Sequence, residues 1–229
     1  MRYPATEEEV KSFLDEISSK NYNRELAEAG LEMITEIGKA YLGDEFNIVW
    51  DGRELFANKG NIYLGLVSAF FPEETKKVLK EYEKLKEHGD VVSVKKTTLR
   101  VEVPGAKASF NLHTKMGEII VETVEAFEKV KEICSDVDEL RNFVTVVEGV
   151  VKSVSFFEAV FILGPFNETI SLEEGGKFTA YISDNSTPKS ILEKYSIATS
   201  LIESVPDEYE PVKITVSEKG ITANFSRGS

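Results

Sequence analysis

Phe46-Asn47-Ile48-Val49-Trp50-Asp51-Gly52-Arg53-Glu54-Leu55-Phe56-Ala57-Asn58-Lys59-Gly60-Asn61-Ile62-Tyr63-Leu64-Gly65-Leu66-Val67 is the stretch on which the fold turns. Bulky and β-branched residues come in short runs over 46–50, 54–57 and 62–67, with Asp51-Gly52 and Asn58-Lys59-Gly60 between them. Glycine enters left-handed backbone at little cost, so both interruptions read as hairpin turns and the stretch as a three-stranded meander. A helical period flanks it on each side. Upstream, Leu26, Met33, Ile34, Ile37 and Tyr41 recur at helical spacing and stop at Gly43. Downstream, Pro72-Glu73-Glu74 suits a first turn, and Val78, Leu79, Tyr82 and Leu85 carry the apolar face toward Gly89. The local unit is helix, meander, helix, and the fold class is α+β: antiparallel meander sheets packed on helices.

The pattern extends both ways. Thr6 caps a helix opening Glu7-Glu8-Glu9 and bearing Val10, Phe13, Leu14 and Ile17, after which Asn21 and Asn23 punctuate the chain. Strands are expected over 91–95, 98–103 and 108–112, with a turn at Pro104-Gly105. A helix is read from Gly117, through Ile120, Val124, Phe127, Val130 and Ile133, and a second is capped by Ser135 or Asp136 and runs to Val154. Its valines (Val144, Val147, Val150, Val151) leave a strand reading of part of it open. Strands over 157–163, 168–172 and 178–183 follow, then a helix opened by Thr187-Pro188 and two closing strands over 212–216 and 221–225.

Element order divides the chain into an N-terminal helix (1–22), a first α+β repeat (23–134) and a second (135–229), each containing α-βββ-α-ββ. Locally, Lys76-Lys77-Val78-Leu79-Lys80-Glu81-Tyr82 aligns with Lys189-Ser190-Ile191-Leu192-Glu193-Lys194-Tyr195, sharing Lys, Leu and Tyr. An internal duplication predicts two halves with the same strand order, packed as a pseudo-symmetric pair within a monomer. Arg227-Gly228-Ser229 reads as a vector remnant and is kept out of this scheme.

The order α-βββ-α-ββ-α resembles the class I type III secretion chaperones and the related YbjN-like proteins, over about residues 24–133 and less completely 136–225. That resemblance implies a small acidic module that binds other proteins and catalyses nothing. It rests on element order and acidity, so it assigns no residue a role. The extra strand after Pro104 and the missing helix after Phe225 depart from it. A second resemblance, to DNA sliding clamps, is weaker. Clamps place more strands between helices than fit between Gly43 and Pro72, and they line inner helices with cations. The expected helix 136–154 has only Arg141 and Lys152.

Composition narrows the function classes. A net charge of −13 over 229 residues argues against nucleic-acid binding, which needs a basic footprint. No stretch approaches a membrane span, and Met1 to Glu9 carries no apolar signal core, so a cytoplasmic protein is expected. The absence of glutamine beside abundant Glu and Lys points to a heat-loving prokaryotic source.

Single residues carry little chemistry. Cys134 sits among Ile133, Glu132 and Asp136, which favour the inert thiol. His88 and His113 fit no zinc or acid/base spacing, Gly175-Gly176-Lys177 lacks the rest of a phosphate loop, and no metal or cofactor is expected. Glu118, Glu122, Glu125 and Glu128 read as one solvated helix face. The exceptions are aromatic. Phe70-Phe71 falls in a connection, and Phe156-Phe157 opens the nearly unbroken apolar run 156–163. Core packing accounts for most of that run, and whichever phenylalanine stays exposed marks a partner site. The expectation is a non-enzymatic, chaperone-like or adaptor-like protein-binding module, with a replication or repair accessory factor of clamp-like build as the alternative.

Overall fold

The structure is a computed structural model and describes residues 1–20 and 23–228. Asn21, expected to punctuate the first helix, lies outside the described residues. The fold is α+β, and the chain forms two compact units, Met1–Arg100 and Val101–Ser229. The boundary expected after Cys134 is not where the chain divides.

In the first unit, β1 (Arg2–Tyr3), α1 (Glu7–Ser18) and α2 (Arg24–Tyr41) precede β2 (Phe46–Trp50), β3 (Leu55–Lys59) and β4 (Ile62–Gly65). The meander is as its turns require: Gly52 and Gly60 take φ of 94° and 59°, and β2-β3-β4 pair antiparallel in order. Thr6 and Asn23 cap the two helices through their side-chain oxygens. α1 packs on α2, so the N-terminal helix belongs to this unit rather than standing apart. α2 lays Leu31, Ile34 and Ile37 on the sheet. Gly38 is buried there, and a Cβ at that position would come within 2.3 Å of the Phe46 ring. Gly38→Ala should therefore destabilise by about 1–3 kcal/mol through overpacking, despite alanine's better helix propensity. A urea titration reads this, and an unchanged or raised midpoint would refute it. Next come α3 (Val67–Phe70), α4 (Pro72–Leu85), a 3₁₀ segment Lys86–Val91 and β5 (Val92–Lys95), which pairs parallel with β4.

β6 (Thr98–Val103) contains the boundary between the units. The second unit continues with β7 (Ala106–Asn111), β8 (Met116–Val121), α5 (Val124–Cys134) and α6 (Asp138–Val151). Here the sequence expectation needs correcting. Residues 116–121 form a strand, not the first turn of a helix, and α5 starts only after Thr123 caps it. Gly117, Ile119 and Val121 are buried in alternation, the two-residue period that β-branched residues satisfy against a sheet. Glu118 therefore lies on β8, and only Glu125 and Glu128 share a helix. α6 is helical throughout 138–151 despite its valines, because six apolar side chains bury one face of it. Neither Ser135 nor Asp136 caps it; Val137 occupies that position.

The remaining elements are β9 (Glu158–Leu163), β10 (Thr169–Glu173), β11 (Lys177–Ile182), α7 (Pro188–Glu203), β12 (Tyr209–Ser217) and β13 (Gly220–Arg227). Their order in the sheet is β7-β8-β9-β11-β10-β12-β13. β9 through β11 do not form the expected meander. β11 lies between β9 and β10, parallel to β9 over Glu158–Leu163 and antiparallel to β10. The segment 164–168 bridges two strand spacings, about 10 Å, around the end of β11. Gly164 N donates to Ile182 O at 3.1 Å, and Phe166 packs edge-on against Tyr181 along that path.

The strand order expected of a duplication is thus absent. The first helix-βββ-helix block runs β2-β3-β4-β5, with its fourth strand parallel to its third. The second runs β9-β11-β10-β12, with its fourth strand antiparallel to its second. The matched heptapeptides also begin at different distances from the proline that opens each helix, Pro72 and Pro188. Val78 and Ile191 are both buried, but any amphipathic helix provides that coincidence. Among the described residues no helix is long and apolar enough to cross a membrane.

Candidate functional site

The four phenylalanines singled out in the sequence fall into two pairs, each with one ring outward. Phe70 ends α3 and is 66% exposed, while Phe71 is half-buried at the head of α4. The junction is pinned by Thr75, whose buried hydroxyl donates to Ser68 O at 3.0 Å and to Phe71 O at 2.8 Å. With Pro72 at the first helical position, the backbone that presents Phe70 is held from both sides.

Phe157 is the most exposed large apolar side chain described, at 78%. Its backbone N–H donates to Gly176 O at 2.7 Å, in the β10–β11 turn. Gly176 sits at φ 85°, and a Cβ there would come within 3.3 Å of Phe157 N. The turn therefore needs glycine, and it ties the backbone at Phe157 to the β10–β11 turn. Phe156, one residue earlier, is half-buried. The rest of the run is core: Ala159, Val160 and Phe161 are buried in β9. Phe70 lies in the first unit and Phe157 in the second.

A cavity of about 410 Å³ in the second unit escaped the sequence reading. It opens beyond the carboxyl ends of the parallel strands β9 and β11, at Leu163 and Ile182, beside α6 and the start of α7. Asn142 and Phe143 line one side, Ser186 and Thr187 the other. No motif announces such a site, because it arises from the parallel pairing of β9 with β11, which the sequence period does not distinguish from a meander.

Several ionisable groups of the second unit pair with one another. On α6, Arg141 pairs with Asp138 at 2.8 Å, and Lys152 with Glu148 at 3.0 Å and Glu128 at 3.6 Å. Lys131 reaches the same Glu148 at 2.7 Å. The hydrogen bonds from Lys131 and Lys152 hold the Glu148 carboxyl below its ordinary range. Burial pushes the Cys134 thiol up to about 12, so it stays protonated and unreactive at neutral pH. His88 is in the 3₁₀ segment of the first unit and His113 in the β7–β8 turn of the second. Among the described residues no group of three or more His, Cys, Asp and Glu is placed to hold a metal ion.

No protein-family model, curated protein or solved structure matches the chain.

One buried carboxylate of the second unit is structural. Glu168, just before β10, is 7% exposed and accepts from Ser190 Oγ at 2.6 Å and from Lys194, both on α7. Burial alone would raise this carboxyl, but Lys194, Ser190 and Ser186 together hold it below the ordinary glutamate value. The same Ser190 completes the capping box with Thr187.

Proposed function

We propose that the chain is a non-enzymatic protein-binding module, chaperone-like or adaptor-like, that grips its partner through outward phenylalanines. The observation that carries this reading is Phe157. A phenylalanine left bare forgoes about 2–3 kcal/mol of burial free energy, and here the backbone that carries it is tied to Gly176. Aromatic side chains presented on rigid backbone are the usual anchors of protein interfaces, where filling a partner's pocket recovers that free energy. Phe70, pinned through Thr75, offers a second anchor in the other unit.

Phe157→Ser and Phe70→Ser should abolish capture of a specific partner from native lysate, or weaken it by at least about tenfold, while each shifts stability by less than about 0.5 kcal/mol. Quantitative affinity capture with the wild type and both variants reads this. Identical capture by all three proteins would sink the anchor reading.

A further inference from the structure

β13 is an unprotected sheet edge. It is the last strand of the second unit's sheet, pairs among the described residues with β12 alone, and runs for eight residues, Gly220–Arg227. Natural edges are blunted by short strands, lysines, prolines or bulges. The first unit shows this: β1, at the edge beside β2, is two residues long, and Ile48 N is taken up by Met1 O at 2.7 Å. β13 is not short and carries no lysine or proline, the one irregularity of its pairing lies in β12 between Pro211 and Lys213, and its single charge is Arg227 at the end. In a chain of net charge −13, the strip from Gly220 to Ser226 is a place where two copies can approach without opposing like charges.

The register shows which groups are free. Ser217 pairs with Gly220 across the two-residue turn Glu218-Lys219. The residues flanking such a turn exchange their hydrogen bonds, so Gly220, Thr222 and Asn224 point their main-chain groups at β12. Ile221, Ala223 and Phe225 direct theirs outward. Those three also share one face, because side chains alternate along a strand, and Ile221 and Ala223 lie across from Val216 and Ile214. Val216 and Ile214 are buried, in the layer under α7. Ile221, beside them, is 52% exposed. Helical spacing puts Leu201 and Ile197 on the flank of α7 away from Pro188, which touches α6 at Gly149. Ile197 is 45% exposed and Leu201 half-exposed. The apolar layer between α7 and the sheet therefore ends uncovered at β13.

We propose that this edge is a homodimer interface, with β13 of two copies pairing antiparallel about a two-fold axis at Ala223. That register sets Ala223 opposite Ala223 of the second copy and Ile221 opposite Phe225, so large residues face large ones around a small centre. The outward N–H and C=O groups of Ile221, Ala223 and Phe225 then close a ladder, and the two α7 ledges cover each other. A two-fold contact uses the same edge on both copies, so assembly stops at the dimer.

Sedimentation equilibrium of the full chain from about 1 to about 200 µM tests this, spanning affinities of ordinary specific association. The expected species has twice the 25.6 kDa chain mass. Ala223→Pro removes an N–H that β12 does not use, and Ile221→Lys sets a charge opposite Phe225 in both symmetry-related pairs. Each should weaken association by at least about tenfold with an unchanged far-ultraviolet circular dichroism spectrum. Ile221→Lys keeps the test open should the proline variant misfold. A wild type that stays at 25.6 kDa throughout, as expected if the edge instead takes a strand from another protein, overturns the proposal. So does a dimer that survives the substitutions in folded protein.

Discussion

Phe178→Ala is expected to cost about 3–5 kcal/mol of folding free energy, among the largest losses available from a single core substitution. Phe178 is fully buried on β11, the strand held between β9 and β10. Its ring meets Phe161 of β9 edge-on at 5.9 Å and Tyr195 of α7 at 5.7 Å. One side chain thus joins two strands and the covering helix. Tyr195 in turn accepts a hydrogen bond from Ser155 N at 3.1 Å, which fixes the segment leading to Phe157. Truncation removes the transfer free energy of the ring and leaves a cavity that sheet and helix cannot both close. A melting midpoint moves by about 2–4 °C per kcal/mol in a chain of this length, so the loss is easily read by thermal unfolding. Phe157→Ala, at an exposed ring, is the control and should change stability by less than about 0.5 kcal/mol. Similar losses in the two variants would mean that Phe178 does not hold the sheet to α7.

Glu168→Ala is expected to cost about 3 kcal/mol, because it strips the counter-charge from Lys194, whose side chain is only 14% exposed. The double variant Glu168→Met with Lys194→Met should recover much of that loss, since an apolar pair of similar volume leaves no charge uncompensated. The pH dependence has a definite sign. The folded-state carboxyl titrates below the ordinary glutamate value of 4.5, so its contribution is complete above that value and fades as pH falls through the folded one. The stability gap between wild type and Glu168→Gln should therefore be constant near neutrality and shrink as the pH falls below 4.5. Denaturant titrations across that range measure it. A gap that widens on acidification would mean the carboxyl is held above its ordinary value.

The sequence by itself determined the elements whose cause is local. Gly52 and Gly60 made the hairpins of β2–β4, Thr6 and Asn23 capped α1 and α2, and Thr187 with Pro188 opened α7. The α+β class followed from those, and the pairs Phe70-Phe71 and Phe156-Phe157 stood out in the sequence, while the folded structure decided that Phe70 and Phe157 are the rings turned outward. Local period could not separate strand from helix at residues 116–121, where Ile119, Ile120 and Val121 suit either reading until the sheet beside them decides.

Tertiary structure alone decided which strands are neighbours. Insertion of β11 between β9 and β10 depends on a connection, 164–168, long enough to pass around a strand end, and no residue pattern distinguishes that path from a hairpin. From that pairing came the cavity at Leu163 and Ile182, and the differing strand orders that set the two helix-βββ-helix blocks apart. The buried Glu168–Lys194 pair joins residues 26 apart, and β13 reads as an ordinary closing strand until the sheet order leaves it without a second neighbour. Side-chain period and turn chemistry act over a few residues. Strand adjacency, burial of charge and exposure of an edge are set by contacts between distant segments, and those exist only once the chain has folded.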